Sequence, residues 1–244
     1  MMQAMIFAAG LGTRLKPLTD HMPKALVRVG GEPLLKHVVV QMKNAGFTHV
    51  VVNVHHFADQ IEEYLVAQQN FGIDIRISDE RQQLLNTGGG IKKARPLFDS
   101  TEPILIHNVD ILSNVDLRSF YAQAHGDATL LVSERQTKRY LLFDPNEGHR
   151  LMGWTNVETH EVRSPHAGLN PDGCERYAFS GIHVFSPRLF PLLDKWPDEF
   201  GIIDFYLGTC ASHDINGCAW PGLRLMDVGK QDTIAQADHF LTTI

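Results

Sequence analysis

Ala4-Met5-Ile6-Phe7-Ala8-Ala9 is an unbroken apolar run that ends in Gly10. A strand with no polar face has none to show to water, so it belongs in the middle of a parallel sheet covered by helices on both sides. The stretch after it, Gly10 to Pro23, holds two glycines and two prolines and reads as a long loop. Such a loop opens at the carboxyl end of a buried strand, where open α/β sheets bind their ligands.

The pattern then repeats. Leu34, Leu35, Val38, Val39 and Met42 recur at helical spacing, with Pro33 at the start and Gly46 past the end. His49 to Val54 reads as a second buried strand and Ala58 to Ala67 as a second helix. Ile73 to Ser78 alternates as a half-buried strand does. Gly88-Gly89-Gly90 opens a helical segment toward Ala94, and Ile104 to Asn108 is a further strand ending at Val109-Asp110. Alternating strand and helix over the first ~110 residues predicts an α/β fold with a doubly wound, mostly parallel (mixed) sheet.

The remainder is less regular. Ala128 to Val132 and Tyr177 to Phe185 read as strands. Asp144-Pro145-Asn146-Glu147-Gly148 has the turn chemistry of a hairpin joining Leu141–Phe143 to Leu151–Trp154. Ser164 to Gly173 reads as a loop, Ile203 to Ala211 as a helix, Leu225 to Gly229 as the end of a short strand, and Gln231 to Leu241 as a closing helix. No linker separates two domains, so one domain over 1–244 is expected.

Composition narrows the partners. The chain carries 22 basic and 28 acidic residues, a net charge of −6. A nucleic-acid binder carries a basic surplus, so the balance points away from nucleic acid while leaving small anionic substrates open. No run approaches the ~20 apolar residues of a membrane span. Cys174, Cys210 and Cys218 are scattered without the close spacing of a zinc or redox motif, and read as ordinary core thiols. A reduced, cytoplasmic protein without membrane attachment is expected. His55 and His56, neighbours at a strand end, point opposite ways, and no His-Glu-x-x-His is present, so no histidine metal site is expected.

Gly10-Leu11-Gly12-Thr13-Arg14 through Pro23-Lys24 is the strongest chemical signal. Small residues let backbone N–H groups approach phosphate oxygens, Arg14 offers a planar fork, and Lys24 a point charge. A dinucleotide fingerprint would need glycine where Leu15 stands, and a P-loop would need Gly-Lys-Ser/Thr, which is absent. By composition and spacing alone, a glycine-rich turn without a ligand stays open.

The run from Gly10 to Thr19 with Pro23-Lys24-Ala25-Leu26-Val27 closely resembles the signature loop of the sugar-1-phosphate nucleotidyltransferases. The resemblance continues, in order, at Gly31-Glu32-Pro33-Leu34-Leu35, Asn86-Thr87-Gly88-Gly89-Gly90, Asn108-Val109-Asp110, Phe179-Ser180-Gly181-Ile182 and Asp227-Val228-Gly229. It implies the Rossmann-like fold of the nucleotide-diphospho-sugar transferases, with a nucleoside triphosphate and a sugar 1-phosphate as substrates and pyrophosphate as product. It implies that Arg14 binds the triphosphate and leaving pyrophosphate and that Lys24 neutralises charge at the reacting phosphates. Asp110 and Asp227 would hold Mg²⁺, which favours one or two carboxylates plus phosphate oxygens. Ala8, Ala9, Gly10, Gly12, Thr13, Thr87, Gly88 and Asn108 would surround the nucleotide, the glycines letting the base pack flat. Ser180 and Gly181, with Gly181 giving the ring room, would receive the sugar, together with Asp204. Glu80 is a candidate acceptor for a base N–H; its rival reading is a surface carboxylate after a strand. Arg135, Lys138 and Arg139 read either as a solvated loop or as part of a phosphate or sugar entrance.

Two departures bear on geometry. Val109 stands where the family usually has glycine, and a branched residue resists positive φ. Lys230 stands where many relatives have threonine, and is a candidate phosphate contact. Within the family, the motifs look like N-acetylmuramate-1-phosphate uridylyltransferases, with mannose-1-phosphate guanylyltransferases next and phosphocholine cytidylyltransferases third. A non-catalytic regulatory subunit is the rival class, against which stand all of Arg14, Lys24, Asp110 and Asp227. No hexapeptide repeats follow, so neither acyltransferase activity nor a helix-driven trimer is expected, and the assembly is a monomer or small homo-oligomer.

Overall fold

The computed structural model describes residues 1–244 and has a ten-stranded sheet at its centre. Four parallel strands, Asp74–Asp79, His49–Val54, Gln3–Phe7 and Ile104–Asn108, lie side by side in that order. The predicted central strand is therefore central, with a parallel partner on each edge. Residues along it alternate between two cores. Ala4 and Ile6 join the helices Leu34–Asn44 and Ala58–Ala67 on one face. Met5 joins Ile91, Phe205 and Tyr206, from helices Asn86–Ala94 and Ile202–Thr209, on the other. Each fully buried aliphatic side chain contributes roughly 1.5–3 kcal/mol, so an apolar run of this kind anchors both layers at once.

Glu175–Phe185 runs antiparallel to Ile104–Asn108 and makes the sheet mixed. At 11 residues it outreaches its neighbours and serves two blocks. Ala178 to Phe185 pairs with Ala128–Ser133, which Ile215–Ala219 extends in parallel. Glu175 to Tyr177 starts an antiparallel block through Arg139–Phe143, Leu151–Asn156 and Glu161–Arg163. The predicted hairpin around Asp144 to Gly148 is the centre of that block. A separate ribbon pairs Ile111–Ser113 with Leu225–Asp227. No helix is long and apolar enough to cross a membrane.

Several elements differ from the sequence pattern. The expected loop from Gly10 to Pro23 is wound into short 3-10 turns, Thr13–Leu15 and Leu18–Asp20, because Leu15 and Thr19 are drawn into the interior. Helix Leu117–Gln123, capped by the Asp116 carboxylate on the Ser119 N–H at 3.0 Å, and strand Ile215–Ala219 are too short to show a clear period. Of the cysteines, Cys210 is buried, and Cys174 and Cys218 are half-buried.

The third helix begins at Asn86, which puts all three glycines inside it instead of at its start. A Cβ on Gly88 would lie 2.2 Å from the Phe200 ring, and one on Gly89 would lie 2.0 Å from the Asp198 carbonyl oxygen. The glycines thus let the Asp198–Phe200 segment press onto the helix. The Gly88 N–H donates to the Phe200 carbonyl at 2.9 Å. Gly89→Ala should gain about 1 kcal/mol of helix propensity. It should lose about 1–3 kcal/mol to the clash, because a backbone carbonyl cannot rotate away as a side chain can. A net loss of stability in urea titration is the expected result; a gain would mean the segment is not packed there.

His183 is fully buried against Phe179 and Tyr206, and neither ring nitrogen has a partner. Burial holds its pKa at about 3, and that of His107 on the neighbouring strand at about 4, both below the ordinary 6.5. Both are neutral in the fold and bind protons more readily when unfolded. Keeping them neutral costs nothing in proton binding above pH 6.5, and stability falls as pH drops below it toward those depressed values. His183→Leu is expected to raise stability at neutral pH by roughly 1 kcal/mol, by removing unpaired polar atoms. It should also flatten the acid loss, as read by urea titrations at about pH 7.5 and about pH 4.5. An unchanged acid slope would contradict the burial of a neutral ring.

Candidate functional site

The carboxyl ends of Gln3–Phe7, His49–Val54 and Ile104–Asn108 border a cavity of about 340 Å³. Its lining includes Ala8, Ala9, Gly10, Lys24, Glu80, Thr87, Asn108 and Asp110, so residues scattered from position 8 to position 110 converge. The chain after the first strand is held by Asn53. The Asn53 Oδ1 accepts from the Ala8 N–H at 2.7 Å and the Ala9 N–H at 3.3 Å. In turn its Nδ2 donates to the Glu80 Oε1 at 2.8 Å, and the Leu85 N–H donates to the Glu80 Oε2 at 3.1 Å. Glu80 is fully buried, which pushes its pKa up from the usual carboxylate range. It borders the cavity, but as a brace for Asn53 and the loop, with one protein donor on each oxygen. Asn53, Leu84, Asn86 and Glu199 also line the cavity. No local pattern marks them; Asn53 is one polar residue at the end of an apolar strand.

The charged end of the cavity is built by the two-stranded ribbon. Asp227 pairs in register with Ile111, and the Val228 N–H donates to the Asp110 carbonyl at 2.8 Å, which sets Asp110 and Asp227 next to each other. Lys24 is almost buried and forms an ion pair with Asp110. The Asp227 Oδ1 is buried without any donor. Burial first, and then the Asp110 charge, raise the Asp227 pKa; Lys24, Arg14 and Arg135 pull it down. Arg14 reaches the same place: a Cβ on Gly229 would lie 2.8 Å from an Arg14 guanidinium nitrogen and 2.7 Å from the Asp227 Oδ1. Two carboxylates and two cations from three distant segments therefore share one partly buried spot. Such an arrangement can bind a polyphosphate and neutralise charge that develops on it.

Other expected site residues lie elsewhere. Gly12 (φ 63°) does not line the cavity; its carbonyl accepts from the Thr19 hydroxyl at 2.8 Å and the Leu15 N–H at 2.8 Å, shaping the loop. Thr13 is exposed beside it. A Cβ on Gly88 would meet Phe200, so the room this glycine leaves is taken by that ring; Thr87 borders the cavity, and its hydroxyl accepts from the Ile202 N–H at 2.9 Å. The space over Gly181 (φ 75°) is taken by Asn108, whose amide nitrogen lies 2.8 Å from where a Cβ would be. The Ser180 side chain is buried, so of this strand it is Phe179 that faces an open groove. Asp204 lines the same groove, in an ion pair with Arg163 at 2.6 Å. Val109 keeps a negative φ, and its bulk is accommodated at the cavity wall. Lys230 shares an open basic hollow with Arg14 and Lys16. No group of three or more His, Cys, Asp or Glu side chains is gathered for a metal ion.

Comparison with known proteins agrees with this architecture. Residues 3–141 match the model of the nucleotidyl transferase family. An N-acetylmuramate alpha-1-phosphate uridylyltransferase of Neisseria meningitidis is 33% identical over 191 residues, 78% of this chain and 77% of the relative. One of Caulobacter vibrioides is 49% identical over 109 residues, 44% of this chain and 45% of the relative. A mannose-1-phosphate guanyltransferase beta-B of Xenopus laevis is 30% identical over 80% of this chain, which spans 53% of its length. Matches thus cover about half the length of some curated relatives and three quarters of another. Among solved structures, a UDP-glucose pyrophosphorylase with UDP-glucose superposes with a TM-score of 0.77 over 99% of this chain and 98% of that one, at 17% identity, a likeness of fold. The signature loop, the sheet and these matches together place the chain in the nucleotidyl transferase family, among the sugar-1-phosphate nucleotidyltransferases.

Proposed function

We propose that the chain transfers the nucleotidyl group of UTP to N-acetylmuramate or an N-acetylhexosamine 1-phosphate, releasing pyrophosphate. The observation that carries the reading is the convergence of Arg14, Lys24, Asp110 and Asp227 beside a cavity that Lys24 and Asp110 line together with Ala8 to Gly10, Asn53 and Thr87. The names of the Neisseria and Caulobacter relatives favour uridylyl transfer to N-acetylmuramate 1-phosphate. The Xenopus relative makes GTP with mannose 1-phosphate the competing pair.

The acceptor phosphate is already an anion, so the reaction needs no general base. Its oxygen attacks the α-phosphate in line, and the chain's work is to orient both partners and absorb charge. Arg14, exposed at the mouth of the site, would hold the triphosphate tail and the leaving pyrophosphate. Lys24, anchored by Asp110, would stay fixed at the reacting phosphates. The loop at Ala8 to Gly10, braced by Asn53, would carry the nucleoside.

Asp110 and Asp227 fit a divalent cation such as Mg²⁺. They are adjacent, one oxygen of Asp227 is buried without a donor, and a pair of carboxylates leaves the other positions to phosphate oxygens and water. When bound, the ion supplies positive charge against the carboxylates and the substrate phosphates.

Asp227→Asn removes a buried negative charge from beside Asp110. It is expected to cut pyrophosphate release at least about 100-fold while leaving the melting temperature of the metal-free protein unchanged or higher. Wild-type turnover in the variant, or in excess chelator, would overturn the metal assignment.

Substrate choice is tested by competition of UTP against GTP at equal concentration, with each sugar 1-phosphate in turn. At least roughly tenfold preference for UTP is expected, because one mispaired buried polar group costs about 1–3 kcal/mol. Preference for GTP with mannose 1-phosphate would replace the uridylyl reading.

A further inference from the structure

A groove of about 570 Å³ runs beside the cavity, between the antiparallel block and helix Ile202–Thr209. Its floor follows from strand register. Arg139, Asn156 and Glu161 stand opposite one another on three adjacent strands, and Leu141, Trp154 and Arg163 form the next row on the same face. Three arginines enter the groove, and they are not equivalent. Arg163 stacks on the Trp154 ring at 4.2 Å and takes both carboxylates present, Asp204 at 2.6 Å and Glu161 at 3.9 Å. Arg135 donates to the Phe179 carbonyl at 3.1 Å and forms no ion pair. The Arg139 guanidinium has neither an ion pair nor a side-chain acceptor, whereas Lys138 beside it pairs with Glu158 at 2.8 Å.

The groove has an inner and an outer end. Arg135 donates to the carbonyl of Phe179, and two residues further along that strand Gly181 abuts the cavity-lining Asn108, so this is the end nearer the cavity. Arg139 lies further along, beyond the Phe179 ring and beside Trp154 and Tyr140. A sugar 1-phosphate with its phosphate at Lys24 and Arg135 would lay its ring along the Phe179 side of the groove, because Arg163 already covers Trp154. Its far substituents would then reach Arg139. A neutral hydroxyl or acetamide there would leave a planar five-donor fork unused, whereas a carboxylate matches it bidentately.

We propose that this groove selects sugar 1-phosphates that carry a second anion, a carboxylate on a ring substituent, and that Arg139 is the residue that reads it. The proposal rests on the acceptor being a sugar 1-phosphate. Arg139 touches only the distal substituent, so it determines specificity and takes no part in the bond-making step.

The test compares two acceptors that differ only in a carboxylated arm: N-acetylglucosamine 1-phosphate and its 3-O-lactyl counterpart, N-acetylmuramate 1-phosphate. The wild-type protein should favour the lactyl compound by at least about tenfold in kcat/KM, carried by KM. In Arg139→Gln that ratio should collapse toward one, and Arg139→Lys should keep part of it, since charge survives without the fork. The amide of the lactyl arm should behave as the unsubstituted sugar does. A wild-type ratio near one, or a ratio unchanged in Arg139→Gln, overturns the proposal. Failure of the functional reading looks different: no pyrophosphate release with either acceptor and any of the common triphosphates. In that event, calorimetric titration of the two sugar phosphates decides, with tighter binding of the lactyl compound lost in Arg139→Gln as support and equal or absent binding as refutation.

Discussion

Two carboxylates held next to each other in a half-buried place are the condition on which the rest of the site depends. Asp110 and Asp227 repel, and burial removes the water that would screen them. The ribbon between Ile111–Ser113 and Leu225–Asp227 keeps them together with backbone hydrogen bonds, which are indifferent to the charges they carry. Lys24 and Arg14 offset part of the repulsion, and the Asp227 Oδ1 still lacks a donor. A site in this condition favours the arrival of positive charge and of a ligand that brings its own cation. The fold sustains it because the two cores on either side of the sheet are tightly filled and contribute the stability that the site lacks.

A second constraint operates in the opposite direction. Glu80 and Asn53 are buried polar residues, and each finds its partners: Glu80 holds Asn53, and Asn53 holds the N–H groups of Ala8 and Ala9. Buried polar networks of this kind specify one arrangement, because any slip leaves a desolvated group unpaired. The loop after the first strand is thereby fixed at its root, while its tip, with Leu11, Thr13 and Arg14, is exposed. A braced root with an exposed tip suits the role proposed for this segment, positioning a nucleoside while Arg14 reaches a polyphosphate. The floor of the neighbouring groove is set by sheet register, which puts Arg139, Asn156 and Glu161 in one row and Leu141, Trp154 and Arg163 in the next across three consecutive strands.

Much of this was legible in the chain itself. The apolar run Ala4 to Ala9 could only be a central strand, and the helical and strand periods through Asp110 led to the parallel half of the sheet, because burial on one or two faces writes directly into residue spacing. The resemblance of the signature loop pointed to Arg14, Lys24, Asp110 and Asp227, and the fold gathers all four. What spacing did not carry was where groups of low periodicity would go. The three glycines at positions 88 to 90 read as a helix start and a flat wall for a base; inside the helix, Gly88 lies under Phe200, Gly89 under Asp198 and Gly90 against Glu80 and Asn53. Gly181 read as room for a sugar, and that room holds the Asn108 amide. Glu80 read as a base-reader or a surface carboxylate and is an interior brace. A glycine announces that something comes close to the backbone, and only the tertiary structure names what comes. The same holds for charge: Arg135, Lys138 and Arg139 look alike in sequence, but strand register and neighbours from other segments leave Lys138 paired outside and the two arginines in a groove, because pairing is a property of distance in space and not along the chain.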